Sequence, residues 1–341
     1  MIEVKGMVQM FKADDKRYEY LPMRRVGSTG LVLPVISLGL WRNFDSNSPY
    51  YERKQLILHA FNRGVFSFDC ADRYGKPEVG SAESLLGNIL KDELQPYRDE
   101  LVITTKVGYE TGPGPYGQML SRKSILQSID RSLERLQTDY VDIYYAHRFD
   151  SKTDLFESVQ ALDQVVRQGK ALYIGISNFD NKQTKEAIRL FKELGTPFTV
   201  NQVSYNMLNT TIENDGLLDT LRKEHRGLVA YGPLAEGLLS SRYLKEIPAD
   251  FPIHHTSKKV FDKGEKNILL KLNALNEIAQ KRNQTLSQLA LSWLLAEEVV
   301  SSVIIGTTSE AHLDDNLEAA KNMTFTENEK IEIRKITDLF N

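Results

Sequence analysis

The sequence predicts an α/β fold of the (β/α)8 TIM-barrel type, in which eight parallel strands alternate with helices. Eight short runs rich in β-branched or aromatic residues have the character of strands, and amphipathic helical patterns lie between them. The first seven runs begin about 28 to 39 residues apart, a spacing typical of βα units. No linker rich in proline or serine divides the 341 residues, so we expect one large domain.

The predicted strands are short and mostly apolar, as strands covered on both faces must be. They span 35–40, 65–69, 101–106, 140–147, 171–177, 199–202, 227–231 and 302–305. Helices are expected near 51–63, 81–91, 181–194, 215–224, 266–282, 285–296, 309–320 and 327–338. Two more helices follow Ser121 and Thr153, the predicted N-caps, and Gly169 comes just past the end of the second.

Two segments interrupt the βα period. Residues 23–34 form a predicted β-hairpin before the barrel, placed to close its bottom. Residues 232–264 form a long connection after strand seven, and a connection of this length is usually a lid or a binding loop. We therefore divide the chain into an N-terminal extension, 1–17, and a single barrel domain, 18–341.

Composition excludes several classes of protein. The chain has 43 Lys+Arg against 46 Asp+Glu, a net charge of −3, which gives no electrostatic footprint for nucleic acid. No apolar run is long enough to span a bilayer, and the charged N-terminus does not resemble a signal peptide. The single cysteine, Cys70, fits a reducing cytoplasm, where we expect the protein to act. His254-His255 lacks further ligands at metal-site spacing, so no metal site is expected.

One textual match to a phosphate-binding loop is discarded. Residues 112–117, GPGPYG, satisfy G-x-G-x-x-G. The two prolines remove backbone N–H donors where a phosphate would need them, and no helix opens at the third glycine. The segment is predicted to be a structured loop.

Ionisable residues stand at the ends of three neighbouring strands. Asp69 closes the second strand, Lys106 the third and His147 the fourth. Tyr74 follows Asp69 in the loop, within FDCADRYG. Each strand-end group follows apolar wall residues, and a buried ionisable group is costly unless it is paired. Barrel enzymes keep their chemistry at the carboxyl ends of the strands, so these four residues are predicted to form a catalytic site.

The four groups suggest proton transfer to an oxygen. A buried Asp69–Lys106 ion pair would hold an ammonium beside the Tyr74 hydroxyl, and we expect it to lower the pKa of that phenol. His147 could donate a hydrogen bond to a carbonyl oxygen bound between it and Tyr74. Taken singly, each residue also has a structural explanation: a rim ion pair, a packed tyrosine, a satisfied histidine.

The sequence resembles the aldo-keto reductase superfamily from residue 20 to its end. It is most similar to the branch that contains potassium-channel β subunits and bacterial L-glyceraldehyde 3-phosphate reductases. The supporting segments are SLGLW (37–41), FDCADRYG (68–75), GPGPYG with SRK (112–123), YVDIYYAHR (140–148), GKALYIGISN (169–178), NQVSYN (201–206), YGPLAEGLLSSRY (231–243) and IIGTTSEAHLDDN (304–316).

The resemblance implies a catalytic tetrad of Asp69, Tyr74, Lys106 and His147, with the tyrosine as general acid. Channel β subunits carry Asn at the histidine position, so His147 favours a working reductase over a cofactor-binding accessory or sensor subunit. That subunit, and a barrel isomerase or aldolase that needs no nicotinamide, are the alternatives left open. The implied substrate is a short carbonyl compound such as glyceraldehyde 3-phosphate or methylglyoxal.

The resemblance also implies NADP, bound across the carboxyl face of the barrel. The implied cofactor-binding residues are Trp41, Asp69, Ser177, Asn178, Gln202, Tyr231, Gly232, Pro233, Leu234, Ala235, Glu236, Arg242, Gly306, Thr308, His312, Asp315 and Asn316. Ser177, Asn178 and Gln202 would meet the nicotinamide carboxamide, and Tyr231 would stack on the ring. The adenosine end departs from the family pattern, with Pro252 where a second arginine is often found. NAD therefore stays possible beside NADP.

Three further expectations concern partners. Relatives in this branch form tetramers or larger rings, which implies a homo-oligomer. No nucleic acid partner and no membrane insertion are expected. Arg122, Lys123 and Arg148 are either solvated or receive a substrate phosphate at the rim.

Overall fold

Eight parallel strands close into a barrel in the computed structural model, which describes residues 11–251, 261 and 264–338. Each strand pairs with its neighbours in chain order, and the last pairs with the first, which confirms the predicted (β/α)8 barrel. The barrel strands are β3 Ile36–Gly39, β4 Ser67–Asp69, β5 Val102–Val107, β6 Val141–Ala146, β7 Ala171–Ser177, β8 Phe198–Ser204, β9 Gly227–Tyr231 and β10 Val300–Ile305.

Helices follow the strands and cover the outside of the barrel. Those in the described residues are α1 Tyr50–Asn62, α2 Ser81–Ile89, α3 Arg122–Leu136, α4 Leu155–Arg167, α5 Asn181–Leu194, α6 Thr211–Asn214, α7 Leu217–Lys223, α8 Glu265–Lys281, α9 Leu286–Leu295, α10 Glu310–Leu317 and α11 Glu327–Asp338. The segment predicted as one helix over 215–224 is α7, preceded by the separate turn α6. Gly216, with φ of +80°, separates the two, because a left-handed residue cannot continue a right-handed helix.

The helix starts show one sequence prediction confirmed and one wrong by a residue. Ser121 caps α3, and its hydroxyl accepts a hydrogen bond from the Ser124 amide at 3.2 Å. Asp154, not Thr153, caps α4, accepting from the Phe156 amide at 2.9 Å. The Thr153 hydroxyl donates instead to Asp150 at 2.8 Å. Both residue types cap helices well, so local composition could not decide between them.

A two-stranded hairpin closes the bottom of the barrel, as the sequence predicts. Strands β1 Met23–Arg25 and β2 Val32–Pro34 pair antiparallel, with Arg24 opposite Leu33. The Arg24 guanidinium donates to backbone carbonyls around the start of β10, including that of Val300 at 2.8 Å. Val26, between the strands, is fully buried. The amino ends of the barrel strands are therefore covered by residues that precede the barrel.

The connection after β9 packs on the outer helices. In its described part, Leu238, Leu239 and Phe251 are buried together with Leu272 of α8 in a second, smaller apolar core. The rest of the predicted connection includes 252–260, 262 and 263, which lie outside the described residues together with Pro252 and the pair His254-His255.

The described part of the N-terminal extension lies against the segment that joins α2 to β5. The Phe11 amide donates to Glu93 at 3.1 Å, and the Ala13 amide donates to the Tyr97 hydroxyl at 3.0 Å. Arg17 forms an ion pair with Glu100. The boundary at residue 17 stays a prediction. Within the described residues, no helix has the length and apolar character required to cross a bilayer.

Candidate active site

Three neighbouring strands bring ionisable side chains to the carboxyl rim of the barrel. Asp69 is the last residue of β4, Lys106 lies near the end of β5, and His147 follows β6 directly. Because the strands are parallel, these ends meet on one face of the barrel. Tyr74 lies in the loop after β4, and its ring centre is 5.7 Å from that of His147. The structure thus brings together the four residues of the predicted tetrad.

The Lys106 ammonium is completely buried and has three acceptors. Its Nζ lies 2.5 Å from the Asp69 carboxylate, 2.7 Å from the Cys70 carbonyl and 3.2 Å from the Tyr74 hydroxyl. A lysine ammonium has three N–H donors, and each is matched here. The contacts therefore fix the position of the ammonium beside the phenol without leaving a buried donor unsatisfied.

The Asp69 carboxylate is held from its other side as well. Its Oδ1 accepts from the Thr104 hydroxyl at 2.8 Å and from the Gln202 amide at 2.9 Å. Thr104 and Lys106 alternate along β5 and so point to the same face of the strand. Sequence reasoning missed Thr104, although this alternation could have identified it.

The pKa of Tyr74 is the point where the sequence prediction is wrong. Burial raises the pKa of this phenol well above its usual value, the charge of Asp69 adds to the rise, and Arg73 opposes it. Desolvation disfavours the phenolate, and this outweighs the stabilisation expected from the ammonium. Tyr74 therefore holds its proton at neutral pH, as a proton donor must before the reaction.

His147 is buried and uncharged. Burial, followed by the positive charges of Lys106, Arg73 and Arg148, holds its pKa well below the usual range. Its Nδ1 is buried and has no hydrogen-bond partner in the described part of the chain. A neutral imidazole carries one N–H, which can donate to a carbonyl oxygen.

Polar residues at the ends of β7, β8 and β9 continue the site. Asn178 adopts a left-handed conformation, with φ of +59°, and its amide donates to the His147 carbonyl at 3.0 Å and to the Ser177 hydroxyl at 3.2 Å. Its side-chain oxygen accepts from the Tyr231 hydroxyl at 2.8 Å. Gln202, one of the residues predicted to contact the nicotinamide carboxamide, donates a hydrogen bond to Asp69. These bonds tie the ends of several strands to the tetrad.

The loop after β9 meets the loop after β3 at the mouth of the barrel. Trp41 is half exposed, and the Arg42 guanidinium lies 4.5 Å from its ring centre and 3.8 Å from the Glu236 carboxylate. Pro233 and Ala235 are buried, Leu234 is partly buried and Gly232 is exposed.

The residues predicted to hold the adenosine end follow β9 and β10. They are Arg242, Gly306, Thr308, His312, Asp315 and Asn316. Arg242 is exposed in a short turn, and His312 is exposed on α10, whereas Asn316 is buried there. Asp315 accepts from Gln288 of α9 at 2.8 Å. In the described residues no hydrogen bond joins this group to the tetrad, so the two sets form separate parts of the mouth.

Comparison with known proteins assigns the family. The model of the aldo/keto reductase family matches residues 35–338, which includes all eight barrel strands and the four residues of the predicted tetrad. The chain belongs to the aldo/keto reductase family. This aldo-keto reductase is therefore an oxidoreductase of a family that acts on carbonyl groups.

Relatives of this aldo-keto reductase include enzymes and channel subunits. It is 42% identical over 325 residues to the L-glyceraldehyde 3-phosphate reductase of Escherichia coli K12, covering 94% of each chain. It is 34% identical over 301 residues to a probable voltage-gated potassium channel subunit beta of Arabidopsis thaliana, covering 87% of this chain and 90% of the relative. An aldo-keto reductase of Bacillus halodurans, solved in its holo form, matches the fold with a TM-score of 0.76 at 24% identity, over 93% of this chain and 96% of that one.

The three cations considered for a substrate phosphate in this aldo-keto reductase have different surroundings, and among the described residues only Arg148 of the three lies beside a residue that contacts His147. Arg122 contacts Gln164 of α4, and the Lys123 ammonium lies 4.3 Å from the Tyr116 ring centre. Arg148 lies beside Tyr109, whose ring packs against His147. Sequence reasoning gave Tyr109 no role, since no periodic pattern marks it.

Proposed function

We propose that this chain reduces small aldehydes and ketones with NADPH, and that Tyr74 donates the proton. The observation that carries the proposal is the buried Lys106 ammonium, held between the Asp69 carboxylate and the Tyr74 hydroxyl. As hydride reaches a carbonyl carbon, negative charge develops on its oxygen. A phenol hydrogen-bonded to a fixed ammonium can give up its proton at that moment, because the charge left on the phenolate is stabilised.

The residues at the mouth fit a nicotinamide dinucleotide. Gly232 and Gly306 are exposed, and a Cβ built on either would meet no atom of the described residues within 4 Å, so backbone at both places is open on that side to a ligand. Tyr231 supplies an aromatic ring at the end of β9, and Arg242 supplies an exposed cation in the loop beyond. When bound, NADPH would supply the hydride. The proposed preference for NADP over NAD rests on Arg242, together with His312.

The residues of the chain would bind and orient the substrate. A carbonyl oxygen between Tyr74 and His147 would receive hydrogen bonds from the phenol and from the neutral imidazole. Asn178 holds the His147 backbone in place, and Tyr231 holds Asn178. Short substrates such as glyceraldehyde 3-phosphate and methylglyoxal are proposed because the reductase relative is named for the first of them.

Replacing Tyr74 by phenylalanine tests the proposal. Tyr74→Phe removes the proton donor and keeps the ring, so we expect kcat for methylglyoxal to fall about 10²–10⁴-fold. The rate is followed as the loss of NADPH absorbance, and a parallel series with NADH measures the cofactor preference. Tyr116→Phe, an exposed tyrosine of the 112–117 loop, is the matched control and should retain the wild-type rate.

The same assay and a titration with NADPH together separate the alternatives. Equal, slow consumption of NADPH by the wild type and by Tyr74→Phe would contradict the enzyme proposal and favour an accessory or sensor subunit. No change in NADPH fluorescence on titration would favour an isomerase or aldolase. Action in the cytoplasm, suggested by the single cysteine, and assembly into tetramers or larger rings stay predictions.

A further inference from the structure

Two arginines contact an aromatic residue, Tyr109, that packs against His147. The Tyr109 ring meets the His147 ring edge-on, with 4.7 Å between centres and planes at 88°. The guanidinium carbon of Arg73 lies 4.7 Å from the Tyr109 ring centre, and that of Arg148 lies 4.8 Å from it. Both cations are therefore one aromatic ring away from the imidazole that would orient the substrate carbonyl.

Arg73 and Arg148 differ from the third cation near His147, Lys106, in having no carboxylate partner among the described residues. Lys106 is neutralised by its ion pair with Asp69. Neither Arg73 nor Arg148 forms an ion pair with a carboxylate in the described part of the chain. Arg148 is held by neutral acceptors only, donating to the Gly108 carbonyl at 3.1 Å and to the Gln118 side chain at 3.3 Å.

The charges of these cations affect both His147 and Tyr74. Lys106, Arg73 and Arg148 all act, after burial, to lower the pKa of His147. Arg73 also acts on Tyr74, where it opposes the rise in pKa caused by burial. Two positively charged groups therefore lie near the place proposed for the carbonyl, on the side of Tyr109, and positive charges attract anionic ligands.

We propose that Arg73 and Arg148 form an anion subsite that receives the phosphate of a short phosphorylated aldehyde. The inference rests on the proposed function, because it places the aldehyde carbon of that substrate at Tyr74 and His147. Guanidinium groups are well suited to phosphate, since their N–H donors match its oxygens and the bonds are charge-assisted. With a single ring between His147 and the two arginines, a three-carbon chain is a suitable length to join carbonyl and phosphate.

A pair of aldehydes that differ only in the phosphate gives the decisive measurement. The kcat/KM for glyceraldehyde 3-phosphate is divided by that for glyceraldehyde, with NADPH as reductant, and this preference ratio is compared among variants. We expect Arg148→Gln and Arg73→Gln each to lower the ratio about tenfold or more, since each removes charge-assisted bonds to the phosphate. Arg122→Gln is the matched control, because Arg122 contacts Gln164 of α4, and it should keep the wild-type ratio.

A binding measurement keeps this inference separate from the proposed function. Glycerol 3-phosphate and glycerol, neither of which has a carbonyl, are titrated into the protein with NADPH present and followed by calorimetry. We expect glycerol 3-phosphate to bind more tightly than glycerol. The ratio of their two Kd values should fall about tenfold in Arg148→Gln, and added salt should weaken the binding of glycerol 3-phosphate. If the wild type reduces neither aldehyde but binds glycerol 3-phosphate in this manner, the proposed function fails and the subsite stands. An unchanged ratio in both arginine variants, or equal binding of the two glycerol compounds, would overturn the subsite.

Discussion

Two carboxylates three residues apart, Asp69 and Asp72, are both buried but have opposite surroundings. Asp69 ends β4 and accepts hydrogen bonds from Lys106, Thr104 and Gln202. Asp72 is 4% exposed and accepts from Ser128 at 2.8 Å, while its other oxygen has no partner in the described part of the chain. It lines a cavity of about 90 Å³ between α3 and the loop after β5. Both residues are buried, so they differ in the number and charge of the groups that donate hydrogen bonds to them.

The surroundings of Asp72 shift its pKa. Burial raises the pKa of Asp72 to about 7, and the charge of Glu83 adds to this, against the lowering effects of Ser128 and Arg135. One hydroxyl cannot replace the water that a carboxylate loses, whereas an ammonium and two neutral donors surround Asp69. The end of β4 therefore carries a carboxylate fixed in an ion pair, and the loop after it carries an acid whose pKa lies near neutrality.

Lys106→Met should have the largest effect, because it would leave Asp69 buried without its cation. Removing one partner of a buried ion pair typically lowers the free energy of unfolding by about 3–5 kcal/mol. Denaturant unfolding measures the loss. In the double variant Asp69→Asn/Lys106→Met, part of this stability should return, because the uncompensated charge is gone. A loss below about 1 kcal/mol in Lys106→Met would contradict the importance given to the pair.

Asp72→Asn should have a smaller effect that depends on pH. The pKa of Asp72 is about 7 in the folded protein and near 3.8 in the unfolded chain, so the unfolded state ionises first as the pH rises. Asp72 therefore lowers the stability of the fold progressively between about pH 4 and pH 7. Each unit of difference between the two pKa values corresponds to about 1.4 kcal/mol. The free energy of unfolding of Asp72→Asn should therefore exceed that of the wild type by several kcal/mol at pH 8.

Unfolding of both proteins over this pH range measures the Asp72 effect. Asp99→Asn, at an exposed aspartate, is the control and should show no such trend. The same difference between Asp72→Asn and the wild type at pH 4 and at pH 8 would show that Asp72 ionises freely despite its burial.

Removing a single hydroxyl donor from each carboxylate should have the smallest effects. Thr104→Val takes one bond from a charged acceptor, which is typically worth about 1.5–3 kcal/mol. At pH 5 Asp72 keeps its proton, so Ser128→Ala removes a bond between neutral groups, worth about 0.5–1.5 kcal/mol. Unfolding of both variants at pH 5 compares them. A larger loss in Ser128→Ala than in Thr104→Val would reverse the comparison.

The sequence predicted the position of the tetrad because strand ends can be read along the chain. A polar residue after an apolar strand is visible locally, and parallel pairing brings such residues to one rim. The placement of Arg73 and Arg148 depends on their contacts with Tyr109, in the loop after β5. The single hydrogen bond to Asp72 depends on its contact with Ser128 of α3. The raised pKa of Tyr74 likewise depends on burial in three dimensions, and spacing along the chain does not report it.

The hairpin β1–β2 decides from which side water can exchange with the site. In the described structure it covers the amino ends of the strands, with Val26 buried and Arg24 attached to backbone carbonyls beneath the barrel. Lys106 is sealed inside the wall above it. Replacement of the proton that Tyr74 is proposed to donate would therefore use the opposite, carboxyl rim of the barrel. A tightly held ligand would slow deuterium uptake at that phenol as well as blocking turnover.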